Sequence, residues 1–169
     1  IRQLEKENAS LTNIIHKAPI PIFVVDTDHR ITHFNQALED LTGLSAKEMV
    51  GTCDQWKAFY KQERPVMADL IIDDSSEAQI VEHYGLKYKR SSTDNERFAA
   101  TDFYPDLGEE GKWLFFTASR FTDDHGNLCG AVETLQDVTE EKRAERKTKE
   151  LFRIYRRILE FIPYPIVVY

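Results

Sequence analysis

Few residues of this chain have types that could support covalent or metal chemistry, and they are scattered along it. There are two cysteines, Cys53 and Cys129, and the five histidines are His16, His29, His33, His83 and His125. No group of them has the spacing of a zinc site, so we predict no bound metal. Two cysteines cannot form a disulfide framework, which fits a reducing, cytoplasmic location.

The short motifs that catalytic centres require are also missing from the sequence. It contains no Gly-x-Ser-x-Gly turn, no glycine-rich phosphate loop, no His-Glu-x-x-His helix and no Asp-Phe-Gly segment. The acid pairs Asp73-Asp74 and Glu109-Glu110 lie in polar, loop-like contexts and are interpreted as solvated charge. No histidine follows His125, so no phosphotransfer helix is expected directly after it. We predict that the chain has no catalytic activity of its own.

One short segment combines aromatic and basic side chains. Trp56, Phe59, Tyr60 and Arg64 fall within nine residues of one another. Such a cluster could close over a bound ligand. It could equally be ordinary core, because each aromatic side chain buries about 150–250 Å².

The composition is that of a soluble globular protein, with 41% hydrophobic and 30% charged residues in a chain of 169. No apolar run approaches the roughly 18 residues that a membrane helix needs. The net charge of -7 argues against a general nucleic-acid binder, which would need a basic face for phosphates. Acidic residues outnumber basic ones 22 to 11 between positions 18 and 139, whereas 140–169 has 8 basic and 5 acidic residues. We expect contact with neither nucleic acid nor membrane.

The two ends of the chain repeat each other. Residues 14–25 and 158–169 share the pattern Pro-x-Pro followed by apolar residues, with Pro19 matching Pro163 and Pro21 matching Pro165. Proline has no N–H and disfavours helix in the residue before it, so this pattern ends a helix and begins an extended segment. We interpret the repeat as a tandem array rather than a chance likeness of two junctions.

Both ends also carry apolar residues at alternating steps of three and four. This spacing gives one stripe along a helix and suits a left-handed coiled coil. The alternative is a single amphipathic helix packed on its own domain. We predict a homodimer through two linker helices, residues 1–17 and 140–162, whose seam residues are Leu4, Leu11, Ile15, Leu151, Tyr155 and Ile158.

Between the ends, strands and short helices alternate. Asn35 is placed to cap a helix that Gly43 closes, and Ser45 with Glu48 forms a capping box for the next turn. Alternating side chains from Trp113 to Phe121 predict a strand with two distinct faces. The predicted strands are Ile20–Asp26, Ile31–Phe34, Arg97–Tyr104, Lys112–Thr122 and Asn127–Val138, and further short helices are predicted at Val66–Ile72 and Ser75–His83.

This order of elements resembles that of a PAS domain. The segments Pro21–Asp26 and Asp28–Asn35 resemble the opening strands of that family, and Asp137-Val138-Thr139 resembles its exit motif. The resemblance implies an α+β fold over residues 18–139, with a five-stranded antiparallel sheet and short helices on one face. It also implies that residues 163–169 begin the first strand of a second PAS domain.

The resemblance implies a sensory or relay function in a multi-PAS prokaryotic signalling protein. A histidine kinase is the expected output, with a diguanylate cyclase, a chemotaxis receptor or a ligand-free dimerisation module as alternatives. Neighbouring PAS and output domains of the same chain are the expected partners. Asp137, Val138 and Thr139 would form the signal exit, with Asp137 capping the next helix and pairing with Arg30, Lys142 or Arg143.

The resemblance does not decide which ligand, if any, is bound. Cys53 lacks the Asn-Cys-Arg-Phe-Leu-Gln context of flavin-binding domains, and polar neighbours around His83 argue against haem. The cofactor is therefore left unknown. A small-molecule pocket and a core filled by its own side chains both remain open. The residues expected to line such a pocket are Phe34, Trp56, Phe59, Tyr60, His83, Phe103, Phe116, Ser119 and Gln136.

Overall fold

A computed structural model describes residue 10 and residues 12–90 and 97–161. The chain divides into two compact units, residues 1–137 and residues 138–169. The predicted seam residues Leu4 and Leu11, and the predicted strand at 163–169, lie outside the described residues.

The first unit alternates strands and short helices as the sequence predicts. Residues 12–17 are helical. The elements that follow are β1 (Ile22–Asp26), β2 (Ile31–Phe34), α1 (Gln36–Thr42), α2 (Ala46–Met49), a 3-10 turn (Gln55–Ala58), α3 (Met67–Ile72), α4 (Glu77–Tyr84), a second 3-10 turn (Gly85–Lys87), β3 (Tyr88–Arg90), β4 (Arg97–Tyr104), β5 (Lys112–Thr122) and β6 (Leu128–Asp137).

The described strands form one antiparallel sheet in the order β2-β1-β6-β5-β4-β3. The α+β fold is confirmed, but the predicted count of five strands is wrong. The sixth strand is β3, in which Tyr88 pairs with Ala100 and Arg90 with Phe98. With three residues, two of them charged, β3 is too short to show the period-two alternation that reveals a strand.

The sheet has one face covered by the helices and one face open. On β5, Leu114, Phe116 and Ala118 are fully buried, whereas Phe115 and Phe121 on the other face remain more than a third exposed. Helix α3 packs against β5 and β6. The core therefore lies between the sheet and the short helices.

Asn35 ties three segments together, which is more than the helix cap that the sequence predicts. Its Oδ1 accepts hydrogen bonds from the amides of Leu38 at 3.1 Å and of Ile22 at 2.9 Å. Its Nδ2 donates to the carbonyls of Ile20, Ala18 and Ile15 at 2.8, 3.2 and 3.2 Å. One buried amide thus joins the end of the N-terminal helix, the start of β1 and the first turn of α1.

Gly130 allows β6 to approach β1 more closely than any other residue would. A Cβ atom at this position would lie 2.1 Å from the carbonyl oxygen of Val25 and 3.1 Å from the Cα of Asp26. Both obstructing atoms belong to the backbone, so a side chain could enter only if the strands separated. The contact between the first and last strands depends on this glycine.

The second unit contains helix α5 (Thr139–Glu160), with Val138 at its N-cap position. The seam residues Leu151, Tyr155 and Ile158 are 60%, 63% and 55% exposed. Among the described residues, no helix is long and apolar enough to cross a membrane.

We expect Asn35→Ala to lower the free energy of unfolding by about 2–4 kcal/mol. The change removes a helix N-cap, worth about 1 kcal/mol, and leaves buried backbone groups without a partner, at about 1–3 kcal/mol. Urea unfolding followed by circular dichroism measures the loss. The neighbouring amide Gln36 is exposed, so Gln36→Ala should stay within about 0.5 kcal/mol of the wild type. Equal effects of the two substitutions would contradict the role given to Asn35.

Candidate functional site

The inner face of the sheet brings together several of the residues predicted to line a pocket. Phe34, Phe59 and Phe116 are buried, and Trp56 and Tyr60 are partly buried against them. These side chains belong to the core between the sheet and the short helices. The structure describes their placement, and a ligand-binding role for them stays a prediction.

Three of the predicted pocket residues do not face this core. Phe103 is 39% exposed and its ring lies 5.4 Å from that of Trp113 on the open face of the sheet. Ser119 is three residues from the buried Phe116 on one strand, so the two side chains leave opposite faces. Gln136 is exposed beside the buried Leu135. The prediction that they face inward is wrong. Successive side chains of a strand point to opposite faces, and these three lie on the face opposite the buried side chains of their strands.

Three tyrosine side chains meet in the core: Tyr84 of α4, Tyr104 of β4, and Tyr60 of the segment between the first 3-10 turn and α3. The hydroxyl groups of Tyr60 and Tyr104 lie 3.5 Å apart, and the Arg64 guanidinium lies over the rings of Tyr60 and Tyr84 at 4.1 and 5.2 Å. Burial raises the pKa of each of these three phenols, so all three stay neutral near pH 7. Predicted pocket residue His83 takes part through its carbonyl, which accepts a hydrogen bond from Arg64.

A buried carboxyl group connects the sheet to the helical layer. Glu133 lies on the inner face of β6, is 3% exposed, and accepts a hydrogen bond from the amide of Ala68 at 3.0 Å. That amide belongs to the first turn of α3, whose N–H groups have no partner within the helix. Burial raises the pKa of Glu133 to about 8, and the charge of Asp69 adds to this, although the Ala68 amide opposes it.

Asp69 is a second buried acid beside Glu133, and it is satisfied by several donors. It is 7% exposed and accepts hydrogen bonds from the amide of Val66 at 3.0 Å and from Nε2 of Gln55 at 2.5 Å. These donors give each of its two carboxyl oxygens a hydrogen-bond partner. Glu133 and Asp69 therefore hold the first turn of α3 from the sheet side and from within the helix.

His29 links the β1–β2 turn to the same helix. Its imidazole contacts Oδ1 of Asp69 through Nδ1 at 2.8 Å and Oδ1 of Asp73 through Nε2 at 3.0 Å. Burial lowers the pKa of His29, but the hydrogen bonds and charges of Asp69 and Asp73 outweigh it and raise the pKa above its ordinary value of 6.5. Its φ of 61° is the left-handed conformation that a tight turn requires.

Asp137, the predicted start of the signal exit, pairs with a residue that the sequence reasoning missed. Its Oδ2 lies 2.5 Å from Nζ of Lys112, at the start of β5. Of the proposed partners, Arg30 instead donates to the carbonyl of Gly51 at 3.1 Å. Val138 occupies the N-cap position of α5, and its side chain makes no capping hydrogen bond. The capping role of Asp137 and its pairing with Lys142 or Arg143 stay predictions.

The sequence could have indicated some of the missed residues but not all of them. Glu133 stands between Ala131 and Leu135 at alternate positions of a predicted strand, which marks it as inward-facing. His29 lies in the turn between β1 and β2, and its partner Asp69 is 40 residues away, a contact that no local pattern reveals. Within the described residues, no group of three or more His, Cys, Asp or Glu side chains could hold a metal ion.

Comparison with known proteins gives a consistent family match. The family described as "PAS fold" matches residues 15–143. Phytochrome B of Sorghum bicolor is 27% identical over 168 residues, which is 99% of this chain and 13% of that protein, and phytochrome B of Arabidopsis thaliana is 25% identical over 157 residues, 93% of this chain and 12% of that protein. The chain thus spans about an eighth of the length of these curated relatives.

Solved structures show the same fold at low sequence identity. The PAS domain of Bordetella pertussis BvgS aligns with a TM-score of 0.53 and 18% identity, covering 87% of this chain and 98% of that one. An RNA-binding Light-Oxygen-Voltage receptor aligns with a TM-score of 0.59 and 18% identity, covering 88% of this chain and 38% of that one.

We expect the wild type to lose stability relative to Glu133→Gln as the pH rises from about 4.5 to about 8. Over this range the carboxyl group releases its proton in the unfolded chain but keeps it in the folded protein, so rising pH favours unfolding. The full difference should be about 3–5 kcal/mol. Urea unfolding at four pH values between 5 and 8 measures it.

The exposed Glu82 provides the control for this measurement. Glu82→Gln should follow the wild type at every pH, because its carboxyl group is in water in both states. Parallel pH curves for the wild type and Glu133→Gln would mean that Glu133 is ionised in the folded protein throughout.

Proposed function

Because the chain belongs to the PAS family, we propose that it is a sensory or relay domain that passes a signal from its helical layer to helix α5. The observation that supports this most directly is the course of β6. This strand pairs with β1 on one side and β5 on the other, bears the buried Glu133, and ends one residue before α5 begins. The domain itself is non-catalytic in this proposal.

The route begins at the inner face of the sheet. A ligand or a neighbouring domain that displaces α3 would change the hydrogen bond between Ala68 and Glu133, and would therefore act on β6. The same helix is held through Asp69 and His29 to the β1–β2 turn. Through these contacts, a change in the position of α3 would change the hydrogen bonding of β6.

The route leaves the sheet at Asp137. Lys112 of β5 pairs with it where β6 ends, and this pair fixes the last residue of the strand relative to its neighbour. A change of register or twist in β6 would be passed along the chain to Thr139, the first residue of α5. Asp137, Val138 and Thr139 are the signal exit in this proposal.

Helix α5 continues the signal as part of a homodimer. Its exposed apolar side chains lie at heptad spacing, and such surface is stabilised when it is buried against a second copy. A histidine kinase in the cytoplasm is the output that we favour. A diguanylate cyclase or a chemotaxis receptor is the alternative output.

We expect the double substitution Leu151→Asp and Ile158→Asp to convert a dimer of this chain into a monomer. Both residues are more than half exposed on one face of α5, and two buried carboxylates in the seam would oppose association. Sedimentation velocity measures the mass. Arg146→Asp with Arg153→Asp is the matched control, since these positions have the same spacing on the opposite face of the helix. A double Leu151/Ile158 variant that remains dimeric would place the contact elsewhere.

Native mass spectrometry and an absorption spectrum of the purified chain separate a sensor from a relay. A sensor should show flavin or haem bands, or a reproducible extra mass that disappears on denaturation. A dimer of the expected mass without bound material would instead support the ligand-free relay module.

A further inference from the structure

A cavity of about 290 Å³ is lined by none of the residues that the sequence predicted for a pocket. It is formed by the end of α3, the start of α4 and the edge of the sheet at β3, β4 and β5. Its apolar wall consists of Ile71, Ile80 and Phe98, which are 2%, 3% and 6% exposed. Its volume equals that of about ten water molecules at roughly 30 Å³ each, so it suits a small metabolite.

Two guanidinium groups line this cavity. Arg120 projects from the inner face of β5, with its Nε donating to the carbonyl of Ile71 and its Nη2 donating to Oδ1 of Asp74 at 2.8 Å. Arg90 of β3 lies over the ring of Phe98 at 5.3 Å. A guanidinium group presents several donors in a fixed fork that matches a carboxylate, so this wall suits an anionic group.

The ion pair of Arg120 can be exchanged at little cost. The side chain of Asp74 is 90% exposed, and exposed ion pairs contribute about 0–1 kcal/mol. The left-handed φ of 52° at Asp74 belongs to the end of α3, where the amide of Ser75 donates to the carbonyl of Leu70 at 2.9 Å. A ligand carboxylate that takes the place of Asp74 on Arg120 would leave this backbone turn intact and free the Asp74 side chain.

The same cavity also presents acidic groups. Glu77 of α4 accepts a hydrogen bond from the hydroxyl of Tyr88 at 3.0 Å, which orients its carboxylate at the cavity wall. Asp74 is the second acid of the lining. A ligand with a carboxylate alone would meet these negative charges, whereas an ammonium group on the ligand would pair with them.

We infer that this cavity binds a small zwitterion with an apolar side chain, an α-amino acid of about the size of leucine. The carboxylate pairs with Arg120, the ammonium group with Glu77, and the side chain contacts Ile71, Ile80 and Phe98. This inference rests on the proposed sensory function and names the ligand class of that sensor. Exchange of Asp74 at the end of α3 would couple binding to the helix that Glu133 holds from β6.

Isothermal titration of the whole chain with L-leucine, L-methionine and L-phenylalanine tests the inference. Two analogues of leucine isolate its charges, because 4-methylpentanoate lacks the ammonium group and 3-methylbutylamine lacks the carboxylate. At least one amino acid should bind, and each analogue should bind at least about tenfold more weakly than leucine if leucine is bound, since each analogue lacks one of the two charge-assisted contacts, to Arg120 or to Glu77. No binding of any amino acid, or equal binding of leucine and 4-methylpentanoate, would overturn the inference.

Substitutions in the cavity assign the two charges. Glu77→Gln should weaken leucine binding about tenfold and leave 4-methylpentanoate unchanged, whereas Arg120→Lys should weaken both. Glu77 is exposed, so its variant retains the fold even if the Arg120 variant does not. Glu82→Gln on the same helix is the matched control and should bind like the wild type. A Glu77 variant with unchanged leucine affinity would contradict the assignment.

These results are independent of the dimer measurements on α5. A chain that binds no amino acid but still dimerises through Leu151 and Ile158 would overturn the ligand class and leave the proposed relay function intact. A chain that binds leucine but does not dimerise through α5 would support the ligand class and overturn the proposed dimeric relay.

Discussion

The hydrogen bond from the amide of Ala68 to the carboxyl group of Glu133 is the contact on which the two layers of this domain depend. It gives the Ala68 amide a partner that the N-cap residue cannot supply, because Val66 has no polar side chain. Burying the carboxyl group of Glu133 disfavours its ionised form. A carboxyl group removed from water holds its proton more tightly, and the neighbouring Asp69 strengthens that effect. A buried acid with so few partners favours one relative position of helix and strand.

Strand β6 combines this contact with the exit from the sheet. Glu133 is four residues before Asp137, so the residue that contacts α3 and the residue that pairs with Lys112 belong to one short, hydrogen-bonded strand. The strand is bordered on both sides, by β1 and by β5, and cannot move without changing those ladders. A domain that must pass a small displacement to one helix gains from such a strand, because packed elements shift as units rather than deform gradually.

The sequence predicted those features that local patterns encode. Alternation from Trp113 to Phe121 located β5, and the caps at Asn35 and Ser45 marked the starts of α1 and α2. It failed where the determinants are distant in the chain. Asp69 meets His29 across 40 residues, and Ala68 meets Glu133 across 65. The wrong orientation predicted for Ser119 has a different cause, because side-chain alternation along β5 already places Ser119 on the face opposite Phe116.

The pairing of β1 with β6 determines when this domain can finish folding. Val25 pairs with Ala131 and Asp26 with Gly130, so the sheet joins the first and last strands of the unit. During synthesis, the edge of β1 that pairs with β6 has no partner until almost the whole unit has left the ribosome. Until then, the N–H and C=O groups on that edge are unpaired, and a strand in that state can pair with the wrong chain.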